Sequence, residues 1–424
     1  MNESTPTRRD FLTSSALAAL GAGASGVHSS VDETIRVGFI GCGGRGTGAA
    51  SQALRADKDA RLVAMGDAFE DRLQSSLAQL KGLADLTDKI AVTPDSCHVG
   101  LDAYKKVIDS EVDVVVLTTP PHFRPIHLKY AVERGKHCFT EKPMAVDAPG
   151  LRSVIASCEE AKRKGLSVVA GFQLRYSNVN REIIKRVHEG AIGPLVALQA
   201  NDFRGEIWVQ PRQPGWSDME YQLRNWYYYT WLSGDFNVEQ HVHLLDQCLW
   251  AMNDEPPAQC TGTGGRQVRT SSDYGHIYDH FSIIYEWKNG TRLFATCRQQ
   301  DGCKNDISVT LFGAKGTAVL GSSNQRIVTP EGTWRFAGEA NNPVQVEHDE
   351  LFASVRNRAP INNSDYMTKT TMMAIMGRMA GYTGQVITWE MAMNSKEDLS
   401  PPSYAWDTPL PEPPVARPGK TKFV

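Results

Sequence analysis

A glycine-rich loop and an acidic residue further along the chain are the first groups in this sequence that could carry out chemistry. The acid, Asp67, stands at the end of a second apolar run, and the loop after the first run reads Gly41-Cys42-Gly43-Gly44-Arg45-Gly46. Glycines at these positions permit a tight turn, and they let backbone amides and the start of a helix approach a pyrophosphate. The order of strand, loop, helix, strand and acid therefore predicts a dinucleotide-binding site.

Two side chains bear on which dinucleotide binds. The Asp67 carboxylate can accept hydrogen bonds from both ribose hydroxyls and would repel a 2′-phosphate, which favours NAD. Arg45 is a cation in the same loop and could meet a 2′-phosphate, so NADP is the less favoured alternative.

Lys142 is the first candidate for catalysis. It follows a predicted strand, and residues at the carboxyl ends of parallel strands face the crevice where ligands bind. Pro143 restricts the residue before it to an extended conformation, which would hold the lysine at a fixed angle. Lys142 is therefore predicted to hydrogen-bond or protonate a substrate oxygen.

A second group of candidates occupies the segment from Glu239 to Trp250. On one continuous helix, Glu239, His243, Asp246 and Trp250 share a face, whereas His241 points nearly opposite. Carboxylates and imidazoles are also metal ligands, but a helical His-x-His pair diverges and no separate His/Cys cluster completes a site. The sequence therefore predicts no metal centre.

Aromatic residues are concentrated in one segment, which contains Trp208, Trp216, Tyr221, Trp226, Tyr227, Tyr228, Tyr229 and Trp231. Such rings can stack on the apolar faces of a pyranose while polar side chains meet its hydroxyls, here Arg204, Arg224 and Asn225. An aromatic core or a subunit interface is an open alternative for any single ring. Arg175 and Tyr176, just beyond the sixth predicted strand, are expected near the same crevice.

These groups need a scaffold, and the chain begins with a regular alternation of apolar runs and helical segments. The alternation predicts a six-stranded, parallel, doubly wound sheet of the Rossmann type, with strands at Ile35 to Ile40, Arg61 to Gly66, Lys89 to Thr93, Val112 to Thr118, His137 to Thr140 and Ser167 to Phe172. Nearly continuous apolar runs, such as Val112 to Leu117, are typical of strands that are covered on both faces.

Beyond Leu174 the pattern changes to aromatic-rich loops and alternating strands. Asn289-Gly290 lies between two such strands and tolerates the positive φ angles of a tight hairpin, which predicts antiparallel pairing. The predicted fold class is therefore α/β, with a second α+β domain built on a largely antiparallel open sheet. The predicted divisions are a leader at 1–33, a dinucleotide-binding domain at 34–174, a substrate and oligomerisation domain at 175–395, and a proline-rich surface tail at 396–424.

The N-terminal residues predict export. Thr7-Arg8-Arg9-Asp10-Phe11-Leu12 and the mild apolar stretch after it are typical of a twin-arginine signal, with small residues near Ala24 as the cleavage site. The twin-arginine export machinery moves folded proteins, so we expect a periplasmic enzyme that carries its cofactor with it. No later run approaches the eighteen apolar residues of a membrane span.

Composition narrows the remaining classes of protein. The formal net charge is -3, and the chain is 41% hydrophobic and 22% charged, which is typical of a globular protein. No basic stripe indicates binding to nucleic acid. The eight cysteines include no CxxC pair, although Cys297 and Cys303 are close enough in sequence to make a disulfide worth testing.

Several motifs in the correct order resemble the Gfo/Idh/MocA family of glucose-fructose oxidoreductases and inositol dehydrogenases. They are Thr140-Glu141-Lys142-Pro143, Thr118-Thr119-Pro120, Phe312-Gly313-Ala314-Lys315-Gly316 and Ala380-Gly381-Tyr382-Thr383-Gly384, within a likeness from about Ile35 to Ser395. The resemblance implies a homodimer or homotetramer. It also implies a cofactor site formed by Gly41, Gly43, Gly44, Arg45, Gly46, Asp67, Thr119, Pro120, His122, Glu141 and Lys142.

The resemblance further implies a catalytic helix with a histidine, an acid three residues later and an aromatic residue seven residues later. His243 fits that histidine, and Glu239 stands where better-known members have an aspartate. The implied reaction oxidises a sugar hydroxyl: His243 takes the proton, Lys142 stabilises the alkoxide, and hydride passes to the nicotinamide. Glu239 would orient or charge-tune the histidine. Together with the aromatic segment, these considerations predict substrate contacts at Arg175, Tyr176, Arg224, Trp226 and Asp246.

Three functions are compatible with these residues. The leading one is an exported oxidoreductase that oxidises a hydroxyl of a sugar or glycoside with a tightly held NAD. The second is an NAD-dependent glycosidase, in which transient oxidation, elimination and re-reduction leave no net redox change. The third is a non-catalytic carbohydrate-binding protein on a dehydrogenase scaffold, against which the presence of both Lys142 and His243 counts.

Overall fold

The computed structural model describes residues 33–321 and 324–424. Thr34 to Val424 form one compact unit. The predicted twin-arginine signal and its cleavage site near Ala24 lie outside the described residues. No helix among the described residues is long and apolar enough to cross a membrane.

The first sheet is parallel, which confirms the predicted Rossmann type. Its strands in the described chain are β1 Ile35–Ile40, β2 Ala60–Asp67, β3 Cys97–Val99, β4 Val114–Leu117, β5 His137–Thr140 and β6 Val168–Ala170. They lie in the order β3-β2-β1-β4-β5-β6. The order reverses between β1 and β4, which opens a crevice for ligands at the carboxyl ends of the strands.

The predicted third strand at Lys89 to Thr93 is wrong. Ile90 makes only an isolated bridge to Leu62, and the residues that pair with β2 are Cys97–Val99. A single 3-10 turn at Pro94–Ser96 separates the two segments, and a proline has no N–H with which to continue a ladder. The chain therefore joins the sheet only after this turn.

Helices cover both faces of the parallel sheet and one face of the second sheet. In chain order they are α1 Gly44–Ala56, α2 Glu70–Lys81, α3 Ala103–Asp109, α4 Arg124–Glu133, α5 Ala148–Arg163, α6 Asn178–His188, α7 Asp218–Arg224, α8 Thr230–Ser233, α9 Phe236–Glu239, α10 Val242–Ala251, α11 Pro343–Arg356, α12 Ser364–Thr383 and α13 Trp389–Asn394. Apolar side chains of α1, α2 and α11 form one core against the parallel sheet. Those of α3, α4 and α5 belong to a second core that continues under the other sheet.

The second sheet is mixed but largely antiparallel, as predicted. Its strands in the described residues are β7 Leu195–Arg204, β8 Gln259–Gly265, β9 His280–Glu286, β10 Arg292–Gln299, β11 Asp306–Gly313, β12 Gly316–Gly321, β13 Arg326–Thr329, β14 Gly332–Trp334 and β15 Ile387–Thr388. β9 and β10 pair antiparallel on either side of Asn289-Gly290, and Gly290 has a φ of 85°. The predicted hairpin is therefore confirmed, whereas β10 pairs parallel with β7.

The single helix predicted from Glu239 to Trp250 is interrupted. α9 ends at Glu239 and α10 begins at Val242. The amide of His241 donates to the carbonyl of Phe236, which widens the turn, and the carbonyl of His241 then begins the next helix. The break frees His241 to place its imidazole beside Asp202, at 3.8 Å, on the second sheet.

The proline-rich tail has neither helix nor strand and lies against both halves of the compact unit. The hydroxyl of Tyr404 is 2.7 Å from Nε2 of His122, and the side chain of Gln222 donates to the carbonyl of Leu410. Further along, the hydroxyl of Tyr278 donates to the carbonyl of Ala416. The tail therefore ties the two sheets together.

All eight cysteines are free thiols, so the suggested pair of Cys297 and Cys303 is not formed. Cys297 is fully buried and its thiol faces the side-chain oxygen of Asn237, while Cys303 is exposed on the turn after β10.

Candidate active site

The glycine loop forms a cradle that side chains would fill. A Cβ atom on Gly46 would lie 2.0 Å from the carbonyl oxygen of Gly41, and one on Gly41 would lie 2.6 Å from the amide of Thr119. A Cβ atom on Gly43 or Gly44, by contrast, would meet no atom within 4 Å. Backbone amides at the start of α1 are therefore accessible to an anion, and the cradle fits a pyrophosphate.

Asp67 is held at the end of β2 by two backbone amides. Its carboxylate accepts from the amides of Cys42 at 2.6 Å and Phe69 at 2.8 Å. Burial raises the pKa of this carboxyl above its ordinary value. The two amides leave further lone pairs of the carboxylate for hydroxyl donors, which is the arrangement that a ribose requires.

A cavity of about 510 Å³ extends from the glycine loop along the carboxyl ends of the first strands. Eight of the predicted cofactor contacts line it: Gly41, Gly43, Gly44, Arg45, Gly46, Asp67, Thr119 and Pro120. The sequence interpretation missed Phe69, Arg72, Gly100, Leu101 and Tyr104, which also line it. Phe69 follows Asp67 by two residues, so the position of β2 was a signal for it. Nothing in the local pattern indicated Tyr104.

His122 does not belong to this cavity, which corrects the prediction that it binds the cofactor. Its ring lies beside that of Trp231 and forms a hydrogen bond with the hydroxyl of Tyr404. His122 lines a different cavity. Burial lowers the pKa of His122 to about 4. His122 is the middle residue of the 3-10 turn at Pro121–Phe123.

Arg45 lines the nucleotide cavity, and its guanidinium is held by protein groups. Its guanidinium contacts Glu141 at 2.6 Å, Gln52 at 2.9 Å and Glu347 at 3.1 Å. Glu141 accepts in turn from the backbone amide of Lys142 at 3.2 Å. Glu141 and Lys142 therefore lie beside the nucleotide cavity and do not line it.

Lys142 and Glu239 form an ion pair at the junction of the two sheets. The lysine amine donates to the Glu239 carboxylate at 2.8 Å and to its backbone carbonyl at 2.6 Å. The two side chains are only 10% and 11% exposed, so the pair is shielded from water. Glu239 therefore contacts the amine of Lys142, and its expected role of orienting or charge-tuning His243 stays a prediction.

His243 lies near this pair as a neutral imidazole. Burial lowers its pKa well below the ordinary value, and the charges of Lys142, Arg204 and Arg45 lower it further. Its Nδ1 atom is buried and has no hydrogen-bond partner among the described residues. A neutral ring beside a cationic amine can accept a proton while the amine donates a hydrogen bond.

Three of the predicted substrate contacts are structural instead. Arg175 forms ion pairs with Asp246 at 2.9 Å and with Asp254 at 2.6 Å, and Asp246 also accepts from Thr370. Tyr176 donates to the side chain of Asn363. All three side chains are buried: Arg175 and Tyr176 in the 3-10 turn at Gln173–Tyr176, and Asp246 in α10. They therefore hold this turn and the helices together and do not face the crevice.

Arg224 is also engaged by protein groups, which corrects its assignment to substrate. It pairs with Asp71 at 3.1 Å and Glu220 at 2.9 Å, and its guanidinium lies 3.9 Å from the centre of the Phe69 ring. It therefore joins α7 to α2 beside the cavity. Trp226 does line the cavity, together with Trp208.

No group of histidine, cysteine and acidic residues in the described part of the chain is arranged to hold a metal ion. His241, which shares a segment with His243, is fully buried beside Asp202. The glycine cradle, the fixed carboxylate at the end of β2 and the Lys142–Glu239 pair define an oxidoreductase with an NAD-binding Rossmann fold.

Comparison with known proteins identifies the family. Residues 35–170 match the Gfo/Idh/MocA oxidoreductase family model, described as an NAD-binding Rossmann fold, and residues 180–319 match the model of the Gfo/Idh/MocA C-terminal domain. The chain belongs to this family, as the sequence motifs predicted.

Similar proteins include inositol dehydrogenases. The inositol 2-dehydrogenase of Rhizobium meliloti is 24% identical over 299 residues, which are 70% of this chain and 78% of that protein. Inositol 2-dehydrogenase 3 of Saccharopolyspora erythraea is 28% identical over 68% of this chain and 73% of its own length. The 2,7-anhydro-N-acetylneuraminate hydratase of Escherichia coli is 25% identical, over 42% of this chain and 44% of that protein.

Solved structures share the fold. An aldose-aldose oxidoreductase from Caulobacter crescentus, complexed with glycerol, superposes with a TM-score of 0.66 at 19% identity, covering 84% of this chain and 99% of that one. The apo scyllo-inositol dehydrogenase of Lactobacillus casei superposes with a TM-score of 0.63 at 14% identity, covering 85% and 99%. At these identities the likeness shows the fold alone.

Proposed function

We propose that this enzyme oxidises a hydroxyl group of a sugar or polyol by hydride transfer to NAD. The proposal is carried by the shielded contact of Lys142 with Glu239, which stands near the neutral His243. Lys142 follows β5, whose carboxyl end lies at the edge of the sheet where the nucleotide cavity opens. The inositol 2-dehydrogenases among its relatives support a polyol or sugar as the substrate.

Each of these side chains has a distinct task. Neutral His243 accepts the proton of the substrate hydroxyl, and charged Lys142 stabilises the oxygen as negative charge develops on it. Glu239 keeps the lysine amine in place through two hydrogen bonds. Bound NAD supplies the hydride acceptor.

The test is turnover by the purified enzyme with a panel of inositols, aldoses and glycosides, followed through the absorbance of reduced nicotinamide. We expect His243→Ala to lower kcat by about 10² to 10⁴-fold while the Kd for NAD is unchanged. His188→Ala is the matched control, because His188 lies on an exposed surface and contacts only the carbonyl of Trp250. Near-normal turnover by His243→Ala would refute the assignment.

NAD is the proposed cofactor in preference to NADP. The support is the Asp67 carboxylate at the end of β2 and the engagement of the Arg45 guanidinium by three side chains. We expect the affinity for NAD to exceed that for NADP. In Asp67→Ser the ratio of these two affinities should decrease, because the repulsion between the carboxylate and a 2′-phosphate is lost. Equal affinities in the unaltered enzyme would contradict the proposal.

We further propose that the enzyme is exported by the twin-arginine route to the periplasm with its cofactor held tightly. The support is the arginine pair in the leader and the packing of the tail beside the nucleotide cavity, where Trp406 lies 5.6 Å from Phe69. Cell fractionation of the full chain is the test. Replacement of Arg8 and Arg9 by lysines should retain the enzyme in the cytoplasm, and export of that variant would contradict the route.

A second candidate is an elimination reaction by transient oxidation, as in an NAD-dependent glycosidase. One observation favours it: the similarity to a 2,7-anhydro-N-acetylneuraminate hydratase. Release of an aglycone from a glycoside without accumulation of reduced NAD would select it over the net oxidation. A third candidate, a non-catalytic carbohydrate-binding protein, would be selected by NAD that stays oxidised with every sugar and glycoside that binds.

A homo-oligomer is proposed from the outer face of the second sheet. Val196, Phe294 and Phe312 are 60%, 47% and 37% exposed on this sheet, and exposed apolar patches commonly mark protein interfaces. We expect a dimer or tetramer by light scattering. Phe294→Glu with Phe312→Glu should give monomers, and a monomeric unaltered enzyme would contradict the proposal.

A further inference from the structure

Arg45 connects the glycine loop to the catalytic lysine through a continuous series of contacts. Its Nε atom lies 2.6 Å from Oε1 of Glu141. The other carboxylate oxygen of Glu141 accepts from the backbone amide of Lys142 at 3.2 Å, and the amine of Lys142 reaches Glu239 at 2.8 Å. Four charged residues thus link the nucleotide loop to α9.

A second carboxyl group fixes the direction of the arginine. Glu347 on α11 is fully buried and contacts Arg45 at 3.1 Å through Oε1, while its Oε2 atom has no hydrogen-bond partner among the described residues. Burial, and then the charge of Glu141, raise the pKa of Glu347 well above its ordinary value. The Arg45 guanidinium is therefore held between two carboxyl groups, those of Glu141 and Glu347.

We propose that Arg45 is a positioning residue, which holds Lys142 for the reaction through its ion pair with Glu141 and so links the glycine loop to the lysine. A guanidinium has a planar fork that can contact two carboxyl groups at once, which an amine cannot do with the same geometry. Because Arg45 also lines the nucleotide cavity, any displacement of the loop is transmitted to the lysine. This inference rests on the proposed oxidoreductase function.

The first test is Arg45→Met, assayed for kcat, for the KM of the substrate and for the Kd of NAD. A misplaced lysine should lower kcat by roughly 10²-fold, while the Kd for NAD changes little because the loop amides remain. Arg45→Lys keeps the charge but loses the planar fork of the guanidinium, so its kcat should lie between those of the unaltered enzyme and Arg45→Met. Glu141→Gln should behave like Arg45→Met.

Arg55→Met is the matched control. Arg55 lies on the same helix, α1, and forms an exposed ion pair with Asp85 at 2.7 Å, so it should leave kcat and the thermal midpoint nearly unchanged. Equal loss of kcat in Arg55→Met and Arg45→Met would show a general effect on α1 and would overturn the proposal.

The pH profile is a readout that a purely structural role would not move. The charged groups that face His243 are Lys142, Arg204 and Arg45, and the first two are paired with Glu239 and Asp202. Removal of the Arg45 charge leaves less repulsion against the imidazolium, so the acid limb of kcat/KM should shift to higher pH. Arg45→Lys should keep the acid limb in place.

The outcomes separate this inference from the proposed function. If none of the sugars and polyols tested supports reduction of NAD by the unaltered enzyme, the proposed function itself is contradicted. An active enzyme whose Arg45→Met and Glu141→Gln variants keep full kcat and an unchanged acid limb would overturn the role of Arg45 and leave the function intact. If Arg45→Met does not fold, the kcat values of Arg45→Lys and Glu141→Gln give the same decision.

Discussion

Lys142 and Glu239 form an ion pair that is largely shielded from water. A buried ion pair contributes little net stability, because desolvation of both ions offsets their attraction. Removal of only one partner is costly, since the remaining charge stays in the same dry place. In the proposed reaction, the pair at 2.8 Å holds the lysine amine in place.

The consequence can be tested with Glu239→Gln. We expect the free energy of unfolding to fall by about 3 kcal/mol, because the Lys142 charge is left without an anion, and kcat to fall by more than about tenfold. Chemical denaturation and steady-state kinetics measure the two effects. Glu159→Gln is the control, because its pair with Lys162 is about half exposed and such pairs are worth less than about 1 kcal/mol.

A double variant sharpens this prediction. Replacement of both Lys142 and Glu239 by methionine removes both charges, so most of the stability lost in Glu239→Gln should return while activity does not. If the double variant is as unstable as the single one, packing and not charge accounts for the effect.

Part of the candidate site could be predicted from residue types and spacing. Glycines, Asp67 and Lys142 stand directly at the ends of strands, so knowledge of the strands places them. Arg175 and Asp246 could not be placed in this way, because their partners, each other and Asp254, lie far apart in sequence. The neighbouring sequence of a charged residue that faces a crevice does not differ from that of a charged residue buried behind the crevice.

Among the elements, those with strong local signals were predicted and those set by their neighbours were not. Val114–Leu117 is buried at every residue and reads as a strand on its own. The edge strand Cys97–Val99 is only three residues long and half-exposed, so its place depends on pairing with β2. The break between α9 and α10 likewise depends on His241 reaching Asp202.

The tail is the element that should govern release of the cofactor. Phe69, which lines the nucleotide cavity, lies against Trp406 at 5.6 Å and Arg224 at 3.9 Å. Removal of the Trp406 ring leaves Phe69 freer to move, so Trp406→Ala should release NAD several-fold faster. Stopped-flow fluorescence of bound NADH measures the rate.

The control for this prediction is Pro413→Ala, in the same tail but beside Trp231 and Tyr382 at a different cavity. It should leave the release rate unchanged. Unaltered release from Trp406→Ala, or equal acceleration in both variants, would show that the tail contributes nothing at this point.

The whole molecule should lose stability as the pH falls below neutral. Burial lowers the pKa of His122 and His276 to about 4 and that of His127 to about 3, from about 6.5 in the unfolded chain. Between these values the unfolded chain binds protons that the folded protein does not, so the free energy of unfolding decreases toward acid. Each such proton is worth roughly 1.4 kcal/mol per pH unit.

Buried carboxyls whose pKa is raised oppose this trend, among them Asp67, Asp235 and Glu347. Burial raises the pKa of Asp235 to about 6, so the folded protein keeps a proton that the unfolded chain releases between about pH 4 and pH 6. Burial also lowers the pKa values of His243 and His348 well below the ordinary value, and histidines of the unfolded chain take up protons between pH 7 and pH 5, so we expect the net slope to keep its direction. Thermal midpoints near pH 7 and near pH 5 check this prediction, and a higher midpoint near pH 5 would contradict it.

The distribution of thiols gives this enzyme a built-in place for a reporter. Cys303 is exposed and Cys97 is half-buried, while the other six cysteines are buried. A maleimide dye added to the folded enzyme should therefore attach first at Cys303, without any engineered cysteine. Because that turn belongs to the sheet whose outer face carries Phe294, the dye's rotational freedom would reveal whether copies of the enzyme assemble there.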